Sequence, residues 1–236
     1  MRLSEVSFRY SRRAPWILRD VELALRPGSV VEVTGRNGAG KSTLLRLLAG
    51  IIPPSRGSIT DRPRVVGYAP DVFPVDQPFT VTAYLAHMAR IRGISAASAE
   101  ELAGRLNATH LLSQPLGDLS KGSAQKIGLI QALLVPPGLL ILDEPFAGLD
   151  EQTRTELPVI IGEIAAAGGT VVVSDHQNQL QDFPGADHWL VAAGAITTQA
   201  GDRPRQAVIE VLVDAAEAEE IEQKLRADGY TTRRLQ

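Results

Sequence analysis

The residues best suited to chemistry lie between positions 35 and 43, in the stretch GRNGAGKST. This stretch matches G-x-x-x-x-G-K-[ST] in full, after a β-branched run and before leucines at helical spacing. Lys41 offers an ammonium group to β- and γ-phosphates, and Ser42 offers a hydroxyl oxygen to Mg²⁺. The glycines allow backbone N–H groups to surround an anion at the start of a helix. The pattern predicts a site for a nucleoside triphosphate and Mg²⁺, rather than a simple glycine-rich turn, formed by Gly35, Asn37, Gly38, Ala39, Gly40, Lys41, Ser42 and Thr43.

Charged side chains follow two further apolar runs. Asp143 ends the run LLILD and Glu144 comes next, while His176 follows TVVVSD. Residues at the carboxyl ends of parallel strands face the ligand in open α/β sheets. Asp143 suits an oxygen contact to Mg²⁺, and Glu144 is positioned to polarise a water for attack on the γ-phosphate. His176 could hold that phosphate or that water. Lys41, Glu144 and His176 are therefore the predicted catalytic residues.

The stretch LSKGSAQKI, from Leu119 to Ile127, has two interpretations that its own residues leave open. Ser120 precedes an apolar-periodic segment and is a typical helix cap. A serine at a helix N-terminus beside Gly122 also makes an anion site, and the anion could belong to another molecule.

Composition limits the class of protein. The chain has 236 residues, 44% hydrophobic and 22% charged, with a net charge of −3 and no cysteine. This excludes disulfides, thiol chemistry and cysteine-ligated zinc, and the absence of a basic block means that no nucleic-acid partner is expected. No signal peptide and no run of about 20 apolar residues is visible, so a partner would have to supply any membrane span.

The elements predicted around these motifs define an α/β protein. Short apolar strands near 31–35, 64–70, 138–145 and 169–176 alternate with helices, which favours a parallel sheet covered on both faces. A mostly helical block from about 75 to 135 interrupts the alternation, and one of its helices runs from Ser98 or Glu100 towards Leu112. The pattern of residues 201–236 predicts a small β-α-β extension, with strands at 207–214 and 230–235. It follows a main domain over residues 1–200.

The order of these motifs resembles the nucleotide-binding domain of the ABC (ATP-binding cassette) family over about residues 1 to 198. By that resemblance GRNGAGKST is the Walker A loop, LLILDE is Walker B, FAGLD (146–150) is the D-loop and His176 is the switch histidine. Tyr10 matches the aromatic residue that stacks on adenine. The resemblance implies a P-loop NTPase of ABC type, with an N-terminal antiparallel β-subdomain and an inserted helical subdomain.

Two positions depart from the family pattern. The family usually has glutamine where VGYAPD places Asp71, whose carboxylate can still contact Mg²⁺ or its water but cannot donate a hydrogen bond. The family signature LSGGQ keeps Leu119, Ser120 and Gly122 here, but Lys121 replaces a glycine and Ser123 replaces the glutamine. Asp71, Ser120 and Gly122 join the predicted nucleotide-binding residues, and Asp71 joins Ser42 and Asp143 as a predicted metal ligand.

The resemblance implies the ATPase subunit of an ABC transporter. Two such domains, in a homodimer or heterodimer, would enclose ATP between one Walker A loop and the other signature. ATP would close this dimer and hydrolysis would open it. The motion would drive an integral membrane subunit docked on residues 72–85, with the chain peripheral on the cytoplasmic face of the membrane.

Two alternatives are also compatible with the sequence. The first is a soluble ABC ATPase acting on ribosomes or nucleic acid, against which stand the single cassette and the acidic net charge. The second is a P-loop kinase or GTPase, which would leave LSKGS and FAGLD unexplained.

Overall fold

The computed structural model describes residues 1–175, 179–180, 183–201 and 218–227. Its strands are β1 (Arg2–Phe8), β2 (Leu18–Ala24), β3 (Val30–Thr34), β4 (Arg56–Thr60), β5 (Val66–Ala69), β6 (Leu139–Asp143), β7 (Thr170–Ser174), β8 (Asp187–Ala192) and β9 (Ala195–Gln199). Its α-helices are α1 (Lys41–Ala49), α2 (Val81–Ile91), α3 (Ala97–Arg105), α4 (Lys121–Leu133), α5 (Glu151–Ala166) and α6 (Ala218–Ala227).

A six-stranded sheet of order β5-β6-β7-β3-β8-β9 forms the centre of the molecule. All neighbouring strands are parallel except β8 and β9. Successive residues of β6 enter opposite cores: Ile141 packs with the leucines of α1, and Leu142 packs with α4 and α5. Because both faces are covered, every residue of β6 and β7 is buried. The predicted class, a mainly parallel α/β sheet, is confirmed.

The strands β8 and β9 form a hairpin that the sequence interpretation missed. Ala193 and Gly194 join them, with φ angles of 50° and 83°. Two successive residues with positive φ are the geometry of a type I′ turn, whose twist matches that of a hairpin. The available sequence signal was Gly194 between two runs of strand-forming residues, 189–191 and 195–198.

A second, antiparallel sheet of order β2-β1-β4 covers the α1 side, as the family resemblance implied. Its Leu3, Val6 and Leu18 are fully buried in one core with α1. Register shifts occur on either side of Val6, and Glu5 has a φ of 50°. These irregularities break the period-two pattern, which explains why periodicity alone did not mark β1.

The inserted helical segment comprises α2, α3, α4 and two short 3₁₀ turns, at Thr109–Leu111 and Leu116–Asp118. The predicted helix towards Leu112 is wrong beyond Arg105, because Asn107 adopts a φ of 49° and turns the chain. At the end of α3, Arg105 pairs with Glu156 and Glu163 of α5 at 2.5 and 2.8 Å. These ion pairs join the insert to the parallel sheet's helical layer.

The chain divides into two compact units, residues 1–203 and 204–236. In the second unit the described residues form α6, within the helix predicted there. The strands predicted at 207–214 and 230–235 lie outside the described residues. Among the described residues, no helix has the length and apolar character needed to cross a bilayer.

Candidate functional site

The loop between β3 and α1 has the shape that the glycine pattern predicted. Gly35, Gly38 and Gly40 have φ angles of 145°, 78° and 110°, which side chains disfavour. A Cβ at Gly35 would lie 2.5 Å from the carbonyl oxygen of Val191, so the approach of β8 also requires glycine there. Gly40 caps α1 without a side-chain hydrogen bond. The first N–H groups of α1 are therefore available to phosphate oxygens.

The side chain of Lys41 lies between this loop and the acidic end of β6. Its Nζ donates to the carbonyl oxygen of Gly35 at 3.0 Å and lies 3.6 Å from Oε1 of Glu144. The Lys41 and Glu144 side chains are only 8% and 15% exposed. Reduced solvent screening strengthens such a charge contact relative to a surface pair. Residues more than a hundred positions apart thus form one polar site.

Ser174, at the end of β7, orders both acids of the predicted Walker B segment. It pairs with Asp143 in the strand register. Its Oγ donates to Oδ1 of Asp143 at 2.6 Å and accepts from the backbone N–H of Glu144 at 2.9 Å. Glu144 has a φ of 51°, so its backbone is turned out of the strand at this point. Sequence reasoning missed Ser174; the signal was a serine directly before Asp175 and His176, at the end of an apolar strand.

Tyr10 and Thr43 meet at the start of α1. Their hydroxyl oxygens lie 3.1 Å apart, and the Tyr10 ring meets that of Phe8 edge-on at 5.0 Å between centroids. Tyr10 remains 59% exposed, so one face is open to a planar ligand. Beside the loop, a cavity of about 680 Å³ lies between Trp16, residues 36–39 and the β8–β9 hairpin. Trp16 is a further wall residue that the sequence interpretation did not select.

His176 lies outside the described residues, and its predicted contact with phosphate stays a prediction. The residue before it, Asp175, is buried and accepts a hydrogen bond from the backbone N–H of Gln179 at 2.5 Å.

Ser120 caps α4, as predicted. Its Oγ accepts from the backbone N–H of Ser123 at 3.2 Å and donates to the Ser123 hydroxyl at 2.9 Å. A Cβ at Gly122 would lie 2.0 Å from the carbonyl oxygen of Gly148, so the signature turn (residues 119–123) and the FAGLD loop touch through their backbones. In the described part of the chain, no hydrogen bond or ion pair links Ser120 or Gly122 to residues 35–43. The two predicted halves of the site therefore remain unlinked in one chain.

Deeper in α4, Lys126 forms an ion pair with Asp150, the residue that caps α5. Its Nζ also donates to the carbonyl oxygen of Asn107 at 2.9 Å. Burial raises the pKa of Asp150, but hydrogen bonds from Lys126 and Thr153 outweigh this effect and hold the pKa well below its ordinary value. This pair joins the signature helix to the start of α5.

Asp71 lies two residues beyond β5, and its carboxylate faces Lys121 of α4. The Lys121 Nζ lies 3.6 Å from Oδ1 of Asp71. The two positions that depart from the family pattern are thus in contact. The predicted contact of Asp71 with Mg²⁺ stays a prediction.

Together, a phosphate loop after β3, acids at the end of β6 and a serine on the intervening β7 define a P-loop nucleoside triphosphatase. Comparison with known proteins narrows this class. A family model described as ABC transporter matches residues 18–147. The zinc import ATP-binding protein ZnuC of Yersinia pestis bv. Antiqua (strain Antiqua) is 38% identical over 175 residues, which cover 72% of this chain and 67% of that relative.

Solved structures share the fold. The ATP-binding subunit of an ABC transporter has a TM-score of 0.75 at 23% identity, covering 98% of this chain and 95% of that chain. A dimeric bacterial ABC transporter cassette has a TM-score of 0.72 at 19% identity, covering 84% and 97%. The chain belongs to the ABC transporter family, and it is an ATP-binding, ATP-hydrolysing subunit of such a transporter. The family match favours transport over a ribosomal or nucleic-acid role, and it excludes the kinase or GTPase hypothesis.

Proposed function

We propose that this chain hydrolyses ATP with Lys41 on the β- and γ-phosphates and Glu144 as the base for the attacking water. The contact between Lys41 and Glu144 carries this proposal, because it places the phosphate-binding cation beside the carboxylate. Glu144 accepts a proton as water bonds to the γ-phosphorus and the bond to the β-phosphate oxygen breaks. Backbone N–H groups of residues 37–43 and Lys41 balance the charge on the phosphate oxygens. Tyr10 stacks on adenine, and His176 holds the γ-phosphate.

The residues predicted for Mg²⁺ fit a hard cation. Ser42 offers a hydroxyl oxygen, and the buried Asp143 has one carboxylate oxygen held by Ser174. Oxygen donors of this kind are what Mg²⁺ prefers, together with phosphates and water. When bound, Mg²⁺ neutralises charge on the β- and γ-phosphates. Asp71, already paired with Lys121, is a weaker candidate for this role than Ser42 and Asp143.

A second cassette completes the ATP site in our proposal. The N-terminus of α4, around Ser120 and Gly122, would offer an anion site, and no hydrogen bond or ion pair among the described residues links it to this chain's own phosphate loop. An ATP bound on residues 35–43 of one copy would meet that turn on the other. A bacterial cassette of the same fold is dimeric, which supports this arrangement. ATP would shift the population towards the closed dimer, and hydrolysis would reverse the shift.

The motion would drive an integral membrane subunit, with this chain bound peripherally to it on the cytoplasmic face of the membrane. Its docking surface would be residues 72–85, where Val72 is 75% exposed and Phe79 is 37% exposed. Exposed apolar side chains of this kind suit a protein interface. Since relatives are named for zinc import, a divalent metal cation taken up into the cell is the substrate class to test first. Co-purification of the tagged chain with a membrane protein tests the partner.

The substitution Glu144→Gln tests the mechanism. Losing the base should slow phosphate release at least about 100-fold, while ATP binding persists. Light scattering after gel filtration should then show a dimer with ATP and a monomer with ADP.

Glu101→Gln is the matched control, because Glu101 lies exposed on α3. It should leave the rate unchanged. Native-rate hydrolysis by Glu144→Gln would show that Glu144 is not the base. A variant that stays monomeric with ATP would contradict the shared site.

A further inference from the structure

The ion pair between Asp71 and Lys121 joins two elements that pack directly on each other. A Cβ at Gly67 of β5 would lie 2.2 Å from the carbonyl oxygen of Ala132, so α4 rests against the backbone of β5. Asp71 follows β5, and Lys121 is the first residue of α4. The pair therefore connects the end of the one element with the start of the other. Each residue stands where the family pattern has an uncharged one, and the two replacements have opposite charge.

The charges at the start of α4 explain why this contact is favourable. The first turn of α4 contains no acidic residue, and it begins with a lysine. A cation at a helix N-terminus is unfavourable, because the helix dipole is positive there. The carboxylate that pairs with this lysine belongs to Asp71, whose Oδ1 lies 3.6 Å from the Lys121 Nζ. Asp71 thus supplies a negative charge beside the first turn of α4.

This contact is weak enough to be exchanged. The side chains of Lys121 and Asp71 are 64% and 44% exposed, and exposed ion pairs contribute little to stability. A triphosphate carries several negative charges and would compete well for the same ammonium group. Ser120 is already committed to its own helix turn through Ser123. Lys121 is therefore the side chain of this turn best placed to change partner.

We propose that Lys121 exchanges Asp71 for the triphosphate bound on a second copy of this chain when ATP closes the dimer. This rests on the proposed function, since it requires a shared ATP site. In this role Asp71 opposes closure by holding Lys121 within its own chain. Lys121 is a binding residue for the ATP of the partner copy, and the pair sets the stability of the ATP-bound dimer.

A double-mutant cycle in the Glu144→Gln chain tests the exchange. The four chains carry Asp71→Asn, Lys121→Gln, both or neither, and sedimentation with MgATP measures their dimer dissociation constants. Asp71→Asn should tighten the dimer when Lys121 is present, because Lys121 is then free. An exposed pair allows about a fivefold change per site, and two sites allow up to about 25-fold. In the Lys121→Gln background, Asp71→Asn should have no such effect.

Two comparisons separate this exchange from a general charge effect. Asp76→Asn removes the same charge from an exposed position five residues away, and it should not tighten the dimer. The gain from Asp71→Asn should shrink between low salt and 0.5 M NaCl, because salt screens the attraction to phosphate.

The possible results are distinguishable. An effect of Asp71→Asn that is equal in both backgrounds, absent or reversed overturns the exchange while leaving the proposed function in place. If the reference Glu144→Gln chain forms no dimer with ATP, the proposed function fails and this inference fails with it.

Discussion

Ser174 shows how one buried hydroxyl can organise the predicted catalytic edge of the sheet. It holds the carboxylate of Asp143 and the backbone N–H of Glu144 with a single oxygen. Neither acid is therefore positioned by its own strand alone. Gly122 is likewise required by packing alone, because a Cβ at this position would collide with the carbonyl oxygen of Gly148.

The substitution Ser174→Ala should lower the hydrolysis rate about 10- to 100-fold, because small displacements of catalytic groups have effects of that size. Affinity for ATP should change much less, since residues 35–43 are untouched. Rates of phosphate release measured over a range of ATP concentrations give the maximal hydrolysis rate and the apparent affinity for ATP separately.

Ser29→Ala provides the matched control. Ser29 is also buried, and its Oγ donates to the carbonyl oxygen of Arg26 at 2.7 Å, at the opposite end of the sheet. It should lower stability and leave the rate intact. Equal rate losses in the two variants would contradict a positioning role for Ser174.

The helices α4 and α5 are coupled through Asp150, which caps α5 and pairs with Lys126 of α4. Because its pKa is held below the ordinary value of a carboxyl group, the ionised form is favoured in the folded state. This stabilisation is complete above the unfolded pKa of about 4, and it disappears as the pH falls through the lower folded pKa.

We expect Asp150→Asn to lower the free energy of unfolding at pH 7 by up to about 1 kcal/mol, since the half-exposed carboxylate is screened by solvent. The difference from the native chain should narrow below about pH 4. Urea unfolding at several pH values measures this. Asp150→Ala should cost about 1 kcal/mol more, because asparagine keeps the helix cap and alanine does not. A difference that is constant with pH would contradict the ion pair.

Binding of MgATP should raise the stability of the whole cassette. A ligand that binds the folded state at 100 times its dissociation constant stabilises it by about 2.7 kcal/mol. For a unit of about 200 residues, this raises the main melting temperature by about 5 to 11 °C. Lys41→Ala should remove most of the shift with MgATP in differential scanning fluorimetry.

Lys224→Ala is the matched control, since Lys224 is exposed on α6. It should keep the full shift. An unchanged shift in Lys41→Ala would contradict the phosphate-loop assignment.

Much of this site could be predicted from the sequence because its groups are arranged by local spacing. The glycines and Lys41 lie within one turn between a strand and a helix, and Ser120 caps the helix that follows it. The apolar run ending at Asp143 indicates a strand buried on both faces. Because backbone sterics and helix capping act over a few residues, these features can be predicted without knowledge of the tertiary structure. The β8–β9 hairpin could also have been predicted from the sequence, because Gly194 marks its turn.

Other features depend on residues that are close only in the folded chain. Ser174 and Asp143 are 31 positions apart, Gly122 and Gly148 are 26 apart, and Asp71 and Lys121 are 50 apart. By itself the sequence determined the phosphate loop, the acidic strand end and the class of reaction. Only the tertiary structure decided that Asp71 faces Lys121 and that Ser174 orders both acids. Strand register and helix packing set these distances, and they arise from the burial of the whole sheet.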